Sequence, residues 1–164
     1  MTAQGTRPAN REIERKFKVT HDGWRRQVVG EPVPMRAGYL SRRKAAVVRV
    51  RFEGGQAVLT IKGAPIDADG RERAEYNIPI SAPAADEILA SGMLDGGVIS
   101  KVRHTVQVGD SLFVVDEFFH PRPGLILAEI ELEAADQPFE RPDWLGEEVT
   151  ADPAYANAMI AAEA

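Results

Sequence analysis

Charges recur two residues apart on segment after segment of this chain. Glu12, Glu14 and Lys16 open the pattern, and Glu129 and Glu131 repeat it near the far end. Between them stand Arg49 and Arg51, Lys62, Arg73 and Glu75, Lys101 and Arg103, and Asp116. Successive side chains of a β-strand point to opposite faces, so residues two apart share one. The intervening positions are mostly apolar: Ile13, Phe17 and Val19; Val48, Val50 and Phe52; Leu59 and Ile61; Tyr76 and Ile78; Ala128, Ile130 and Leu132. Both rows are satisfied by an inverted small barrel, with charges inside and apolar side chains outside.

Turn and cap signals divide the chain accordingly. Strands are predicted over 11–19, 38–41, 47–52, 58–62, 73–80, 99–108, 112–118 and 125–133. Glu53-Gly54-Gly55-Gln56 and Gly109-Asp110 mark hairpins. A short helix is expected over 22–29, capped by Asp22 and stopped by Gly30, and a second over 83–90 with Ser81 or Ala82 near its cap. Asp152-Pro153 opens a terminal helix, and 138–146 reads as irregular. Residues 1–10 read as a disordered tail and 11–164 as a single domain. Hairpin connections throughout predict an antiparallel sheet that closes on itself.

An ordinary antiparallel sheet also alternates apolar and polar faces, so any one of these strands alone fits a solvated surface. Sorting by sign argues otherwise. The first and last long strands carry acids, while Arg49, Arg51, Lys62, Lys101 and Arg103 are basic; ordinary surfaces mix signs. Like charges two apart on a sheet repel, and a repeated arrangement of that kind calls for a compensating ligand. Arginine grips phosphate oxygens bidentately and lysine acts as a point charge. Carboxylates repel phosphate unless a divalent cation stands between them, and Mg²⁺ binds one or two carboxylates plus phosphate oxygens.

Composition narrows the choice. A net charge of −5 is the wrong sign for nonspecific nucleic-acid binding. With no cysteine, thiolate metal sites and disulfides are excluded. His21, His104 and His120 show no zinc spacing, which leaves a carboxylate-bound Mg²⁺ or Mn²⁺. No apolar stretch is long enough to span a bilayer, no signal-peptide run is visible, and a cytoplasmic protein is expected. There is no Gly-x-x-x-x-Gly-Lys-Ser/Thr loop, so P-loop chemistry is excluded. Trp24 and Trp144 read as packing residues, His104 and His120 as structural, and Arg42-Arg43-Lys44 as a basic loop.

These residues resemble a known family. Glu12-x-Glu14-x-Lys16 is similar to the Glu-x-Glu-x-Lys motif of the CYTH superfamily, the triphosphate tunnel metalloenzymes. The resemblance continues through Arg49-Val50-Arg51, Thr60-Ile61-Lys62-Gly63, Arg73-Ala74-Glu75-Tyr76, Lys101-Val102-Arg103, Val115-Asp116 and Ala128-Glu129-Ile130-Glu131. The ending, Trp144 to Thr150 and then Tyr155-Ala156-Asn157, is similar to that of short bacterial members. The resemblance implies a closed eight-stranded antiparallel β-barrel, mainly β with peripheral helices, forming a charged tunnel. It implies metal ligands at Glu12, Glu14, Glu129 and Glu131, with Glu75 and Asp116 as further acids. Lys16, Arg49, Arg51, Lys62, Arg73, Lys101 and Arg103 would bind triphosphate. Asn77 stands where relatives often carry an acid, and Ala156 where a basic residue often precedes the final asparagine.

The expected activity is metal-dependent hydrolysis of inorganic triphosphate, with Glu12, Glu14 and Lys16 at the chemistry; Lys16 would orient water or stabilise developing charge. Two rivals stand beside it: a class IV adenylyl cyclase or organic triphosphatase on the same tunnel, and a noncatalytic polyphosphate-binding module. Neither nucleic acid nor membrane is expected as a partner, and a homodimer is compatible with the sequence.

Overall fold

The computed structural model describes residues 10–164; the tail expected over 1–10 falls outside them except for Asn10, whose carbonyl accepts from the Glu75 amide at 2.9 Å. Nine strands form one sheet: β1 (Arg11–Val19), β2 (Val28–Arg43), β3 (Ala46–Glu53), β4 (Gln56–Pro65), β5 (Glu72–Ile80), β6 (Ile99–Val108), β7 (Ser111–His120), β8 (Ile126–Glu131) and β9 (Leu145–Glu148). Their order is β5-β4-β3-β2-β6-β7-β8-β1-β9, and β1 also pairs with β5. That extra pairing closes eight strands into the expected antiparallel barrel. It covers only Arg11–Ile13 of β1; further along, β9 takes the same strand at Phe17 and Val19.

The predicted hairpins form as read, with Gly54 and Gly55 at positive φ between β3 and β4. The longest difference is β2. Gly30, Pro32 and Pro34 look like breakers, so the sequence predicts strand only over 38–41. Instead one strand of 16 residues runs through them. Register shifts between Val29 and Val33 and between Tyr39 and Ser41 absorb the irregular residues as bulges. The first helix is a 3₁₀ turn, Asp22–Gln27, because Val28 is already paired with Val106. Its cap is His21, not Asp22: His21 Nδ1 accepts from the Gly23 amide at 3.1 Å. Asp152 does act as a cap near the chain's end, but it caps a 3₁₀ turn, Pro153–Tyr155, and the helix beyond that turn is short, Asn157–Ile160. The segment expected to be irregular over 138–146 is so through Trp144, and its last two residues begin β9.

The apolar outer faces are covered in two places. The helix α1 (Ala82–Ala90), capped by Ser81, lays Ala85 and Leu89 over Val50, Ala57, Phe52 and Leu59. Gly38 lies beneath it on β2, where a Cβ would stand 2.8 Å from Leu89. A larger cluster joins Ile13, Phe17, Phe113, Val115, Ala128 and Ile130 to Trp24, Trp144 and Leu145. Both tryptophans are fully buried there, and His104 packs against Trp24 while holding Glu117 at 2.7 Å.

The charges-inside expectation holds for part of the bore only. Val47, Ile99, Phe118 and Leu127 share faces with Arg49, Lys101, Asp116 and Glu129, two residues away on the same strands. With Tyr39 they enclose Val149, Ile160 and Ala161. The chain's end thus plugs one end of the barrel with an apolar core. Gly96 makes the close approach possible: its φ is +96°, and a Cβ would stand 2.5 Å from the Ala161 carbonyl oxygen. No helix among the described residues is long and apolar enough to cross a membrane.

Because α1 packs only on the outer face, Leu89→Ala is expected to lower unfolding stability by about 2–5 kcal/mol while leaving substrate affinity unchanged. Urea melts and steady-state kinetics on the folded fraction check it.

Candidate active site

Register brings the predicted residues into one bore. On the inner face Glu12 lies opposite Arg73, Glu14 opposite Glu131 and Lys16 opposite Glu129. Arg49 faces Thr60, which faces Asn77; Lys62 faces Glu75; Arg103 faces Asp116. A wide cavity of about 520 Å³ is lined by Glu12, Glu14, Arg49, Arg51, Lys62, Glu75, Arg103, Glu129 and Glu131. A narrow recess of about 70 Å³ continues inward past Lys16, Tyr39, Thr60, Arg73 and Asn157. Eleven of the thirteen predicted site residues line one or both. Lys101 and Asp116 line neither; they are 5% and 1% exposed and stand behind the wall.

The sequence sorts signs by strand, and the backbone does place four acids together on the adjacent strands β1 and β8. At the side-chain tips, however, the signs interlock. Lys62 Nζ reaches Glu12 at 2.7 Å and Glu75 at 3.2 Å. Lys16 meets Glu129 at 3.3 Å, and Arg103 reaches the same carboxylate at 3.6 Å. Asp116 takes both arms of Arg103 at 2.8 Å and Lys101 at 2.6 Å. The bore is narrow enough for long cationic side chains to cross it.

Burial dominates the titration of this network. It pushes Glu12 up to about 8, aided next by the charge of Glu14. Glu75 shares that proton: burial would raise it, but its hydrogen bond with Glu12 and the charge of Lys62 hold it below the usual range. Burial works equally against Glu129, yet Lys16 and then Arg103 keep it down at about 2. Burial strips Lys101 to about 8 despite Asp116, and burial, with the charge of Arg49 next, lowers Arg51 to about 10.

Several cations retain binding capacity. The buried Nε atoms of Arg49, Arg51 and Arg73 donate to no protein acceptor among the described residues. A buried donor left unmatched is costly, and three of them around one bore suit a polyanion. Metal-binding capacity is less direct. Among the described residues no three acids are gathered tightly enough to hold an ion as they stand. Glu14 and Glu131 nevertheless stand at opposite positions of adjacent strands and line the same cavity. Together with Glu12, Glu75 and Glu129 they offer the all-oxygen donor set of a hard divalent ion. Asp116 differs, since both its oxygens are already taken by Arg103 and Lys101.

Sequence reasoning gives no role to Tyr39 or Thr60, although Thr60 shares its strand face with Lys62 two residues on. Thr60 donates to Asn77 at 2.7 Å and accepts from Arg49 at 3.3 Å, and Asn77 donates to Glu75 at 2.6 Å. The neutral Asn77 therefore supports the carboxylate of Glu75. Arg42 pairs with Asp95 at 2.8 Å, away from the charged bore.

A closed antiparallel barrel, plugged at one end, whose bore carries interlocked acids and bases defines the class of protein. The sequence model described as CYTH domain matches residues 10–156, and the chain belongs to that family. It is 39% identical over 150 residues to an inorganic triphosphatase of Acetivibrio thermocellus, covering 92% of each chain. It is 34% identical over 156 residues to an inorganic triphosphatase of Nitrosomonas europaea, covering 92% of this chain and 96% of that one. A crystal structure of the inorganic triphosphatase NE1496 superposes with a TM-score of 0.60 at 32% identity, over 92% of this chain and 94% of that one. The PH1012 protein of Pyrococcus horikoshii, at 19% identity over 76% of this chain and 81% of that one, shares the fold with a TM-score of 0.59.

Arg51 is charged against the cost of burial and the repulsion of Arg49. Arg51→Met keeps the apolar stem and removes that charge. The ion pair of Arg51 with Glu53 at 2.8 Å offsets only part of that cost, so the substitution is expected to raise the stability of the ligand-free protein and to weaken triphosphate binding. Melting curves with and without inorganic triphosphate check both signs.

Proposed function

We propose that this protein hydrolyses inorganic triphosphate to pyrophosphate and phosphate with the help of a divalent cation, Mg²⁺ or Mn²⁺. The observation that carries the reading is the coexistence of unspent arginine donors and an acid wall in one bore. A binder of phosphate alone has no use for the acids, and a metal site alone has no use for the arginines. The two named triphosphatases, similar over nearly their whole length, support the same activity.

The residues divide the work by chemistry. Arg49, Arg51, Arg73 and Arg103 grip phosphate oxygens, with Lys16 and Lys62 as point charges beside them. Glu12, Glu14, Glu129 and Glu131, with Glu75, hold the cation. Asp116 anchors Arg103 and Lys101 and keeps their charges in place. When bound, the cation neutralises phosphate oxygens and makes water a better nucleophile. Phosphoryl transfer depends mostly on positioning and charge stabilisation, which a pre-paired bore supplies with little reorganisation. Lys16 Nζ, held between Glu129 and the Tyr155 carbonyl at 3.1 Å, stands where it can stabilise charge developing on the chain. A cytoplasmic location fits this substrate.

Glu12→Gln and Glu131→Gln are each expected to remove most metal-dependent turnover while preserving the fold, because each replaces a cavity-lining carboxylate by an amide of the same shape that cannot hold the cation, rather than removing an apolar core contact. Orthophosphate release from inorganic triphosphate, measured at saturating metal beside ATP and thiamine triphosphate, tests the reading. Near-wild-type rates in either variant would sink the assignment of the acid wall. Cyclic AMP and pyrophosphate from ATP, with no phosphate from inorganic triphosphate, would make the protein a cyclase.

A further inference from the structure

Lys101, predicted to bind substrate, and Asp116, predicted as a metal-binding acid, line neither cavity, and another side chain occupies the place in front of Lys101. Asn157 lines both the wide cavity and the narrow recess, whereas Lys101 lines neither. The Lys101 ammonium donates to Asp116 on one side and to Asn157 Oδ1, at 3.3 Å, on the other.

This contact fixes which way the amide points. An ammonium carries donors only, so it selects the oxygen of an asparagine side chain and turns the nitrogen away. The Asn157 Nδ2 atom has no protein acceptor among the described residues. The residue is also held firmly. Its segment is pinned by Ile160 and Ala161, both fully buried in the apolar plug, by the Gly97 amide donating to the Ala161 carbonyl at 2.9 Å, and by Lys16 donating to the Tyr155 carbonyl at 3.1 Å. A rotamer locked by its neighbours makes a preorganised donor.

We infer that Asn157 is a substrate-binding residue whose Nδ2 amide donates to an oxygen of the triphosphate chain at the inner end of the bore, and that Lys101 is a positioning residue that acts through it. This rests on the triphosphate reading above and assigns a role within that site to the chain's C-terminal segment. It also accounts for a lysine buried out of the substrate's reach: Lys101 orients the amide and adds positive potential behind it.

The test compares Asn157→Ala with Asn157→Asp, using inorganic triphosphate with Mg²⁺. Aspartate keeps an oxygen for Lys101 and strengthens that contact, but it turns a second anionic oxygen toward the phosphate. If Asn157 only held the segment in place, alanine would lower the melting temperature and leave the KM of the folded fraction near wild type. If it donates to phosphate, aspartate must be the weaker binder. Loss of a hydrogen bond to a charged group is expected to raise KM on the order of tenfold or more in Asn157→Ala. In Asn157→Asp the rise is expected to be larger, with a melting temperature no lower than wild type. The inference is overturned if Asn157→Asp matches wild type in KM, or binds more tightly than Asn157→Ala. If wild-type protein neither binds nor cleaves inorganic triphosphate, the proposed function falls first and this inference with it.

Discussion

Charge inside a barrel is costly, and this barrel survives it by pairing. Removing an ion from water costs several kcal/mol even after relaxation, and more than ten ionisable side chains face this bore. Each carboxylate whose partners are resolved reaches across to a cation: Glu12 and Glu75 to Lys62, Glu129 to Lys16 and Arg103, Asp116 to Lys101 and Arg103. The network holds the side chains in position before any ligand arrives. Two features suit one: arginine Nε donors without acceptors among the described residues, and the row of acids that β1 and β8 bring to one cavity. A triphosphate chain answers the first and a divalent cation the second.

The same pairing gives the bore a front and a back. Around Asp116 every oxygen is committed, and the group is buried almost completely. Behind it the inner face turns apolar and the C-terminal segment fills the barrel. The wide charged cavity therefore leads to a recess floored by that segment, where Lys16 and Lys101 meet a backbone carbonyl and an amide oxygen. The end of the chain is part of the site's wall, not an appendage to the fold.

Much of this is legible in the sequence, for a definite reason. Alternation with period two is a local signal, and it locates the site-bearing rows of β1, β3, β6 and β8 from neighbouring residues alone. The sorting of sign by strand points correctly to one shared cavity. The features that do not show are tertiary. The length of β2 is hidden because Gly30, Pro32 and Pro34 are breakers everywhere except in a bulge. The apolar plug is hidden because Val47, Ile99, Phe118 and Leu127 look like ordinary strand residues until Ile160 is seen among them. Lys101 and Asp116 carry the same alternation as their neighbours, and nothing local distinguishes a charge that lines the cavity from one behind its wall. Asn157 sits in a segment of alanines, with no periodicity to mark which side chain turns inward.

The central claim is that acids and bases in one bore are two halves of a single site. A thermal melt at fixed ionic strength tests it most directly, using a noncleavable triphosphate analogue, Mg²⁺, and both together. A ligand that binds only the folded state raises its melting temperature. Because each component satisfies the demand the other leaves, the pair is predicted to raise the melting temperature by more than the sum of the two separate shifts. No shift with the analogue and Mg²⁺ together, at concentrations up to about millimolar, would contradict the account and return these charges to a structural role.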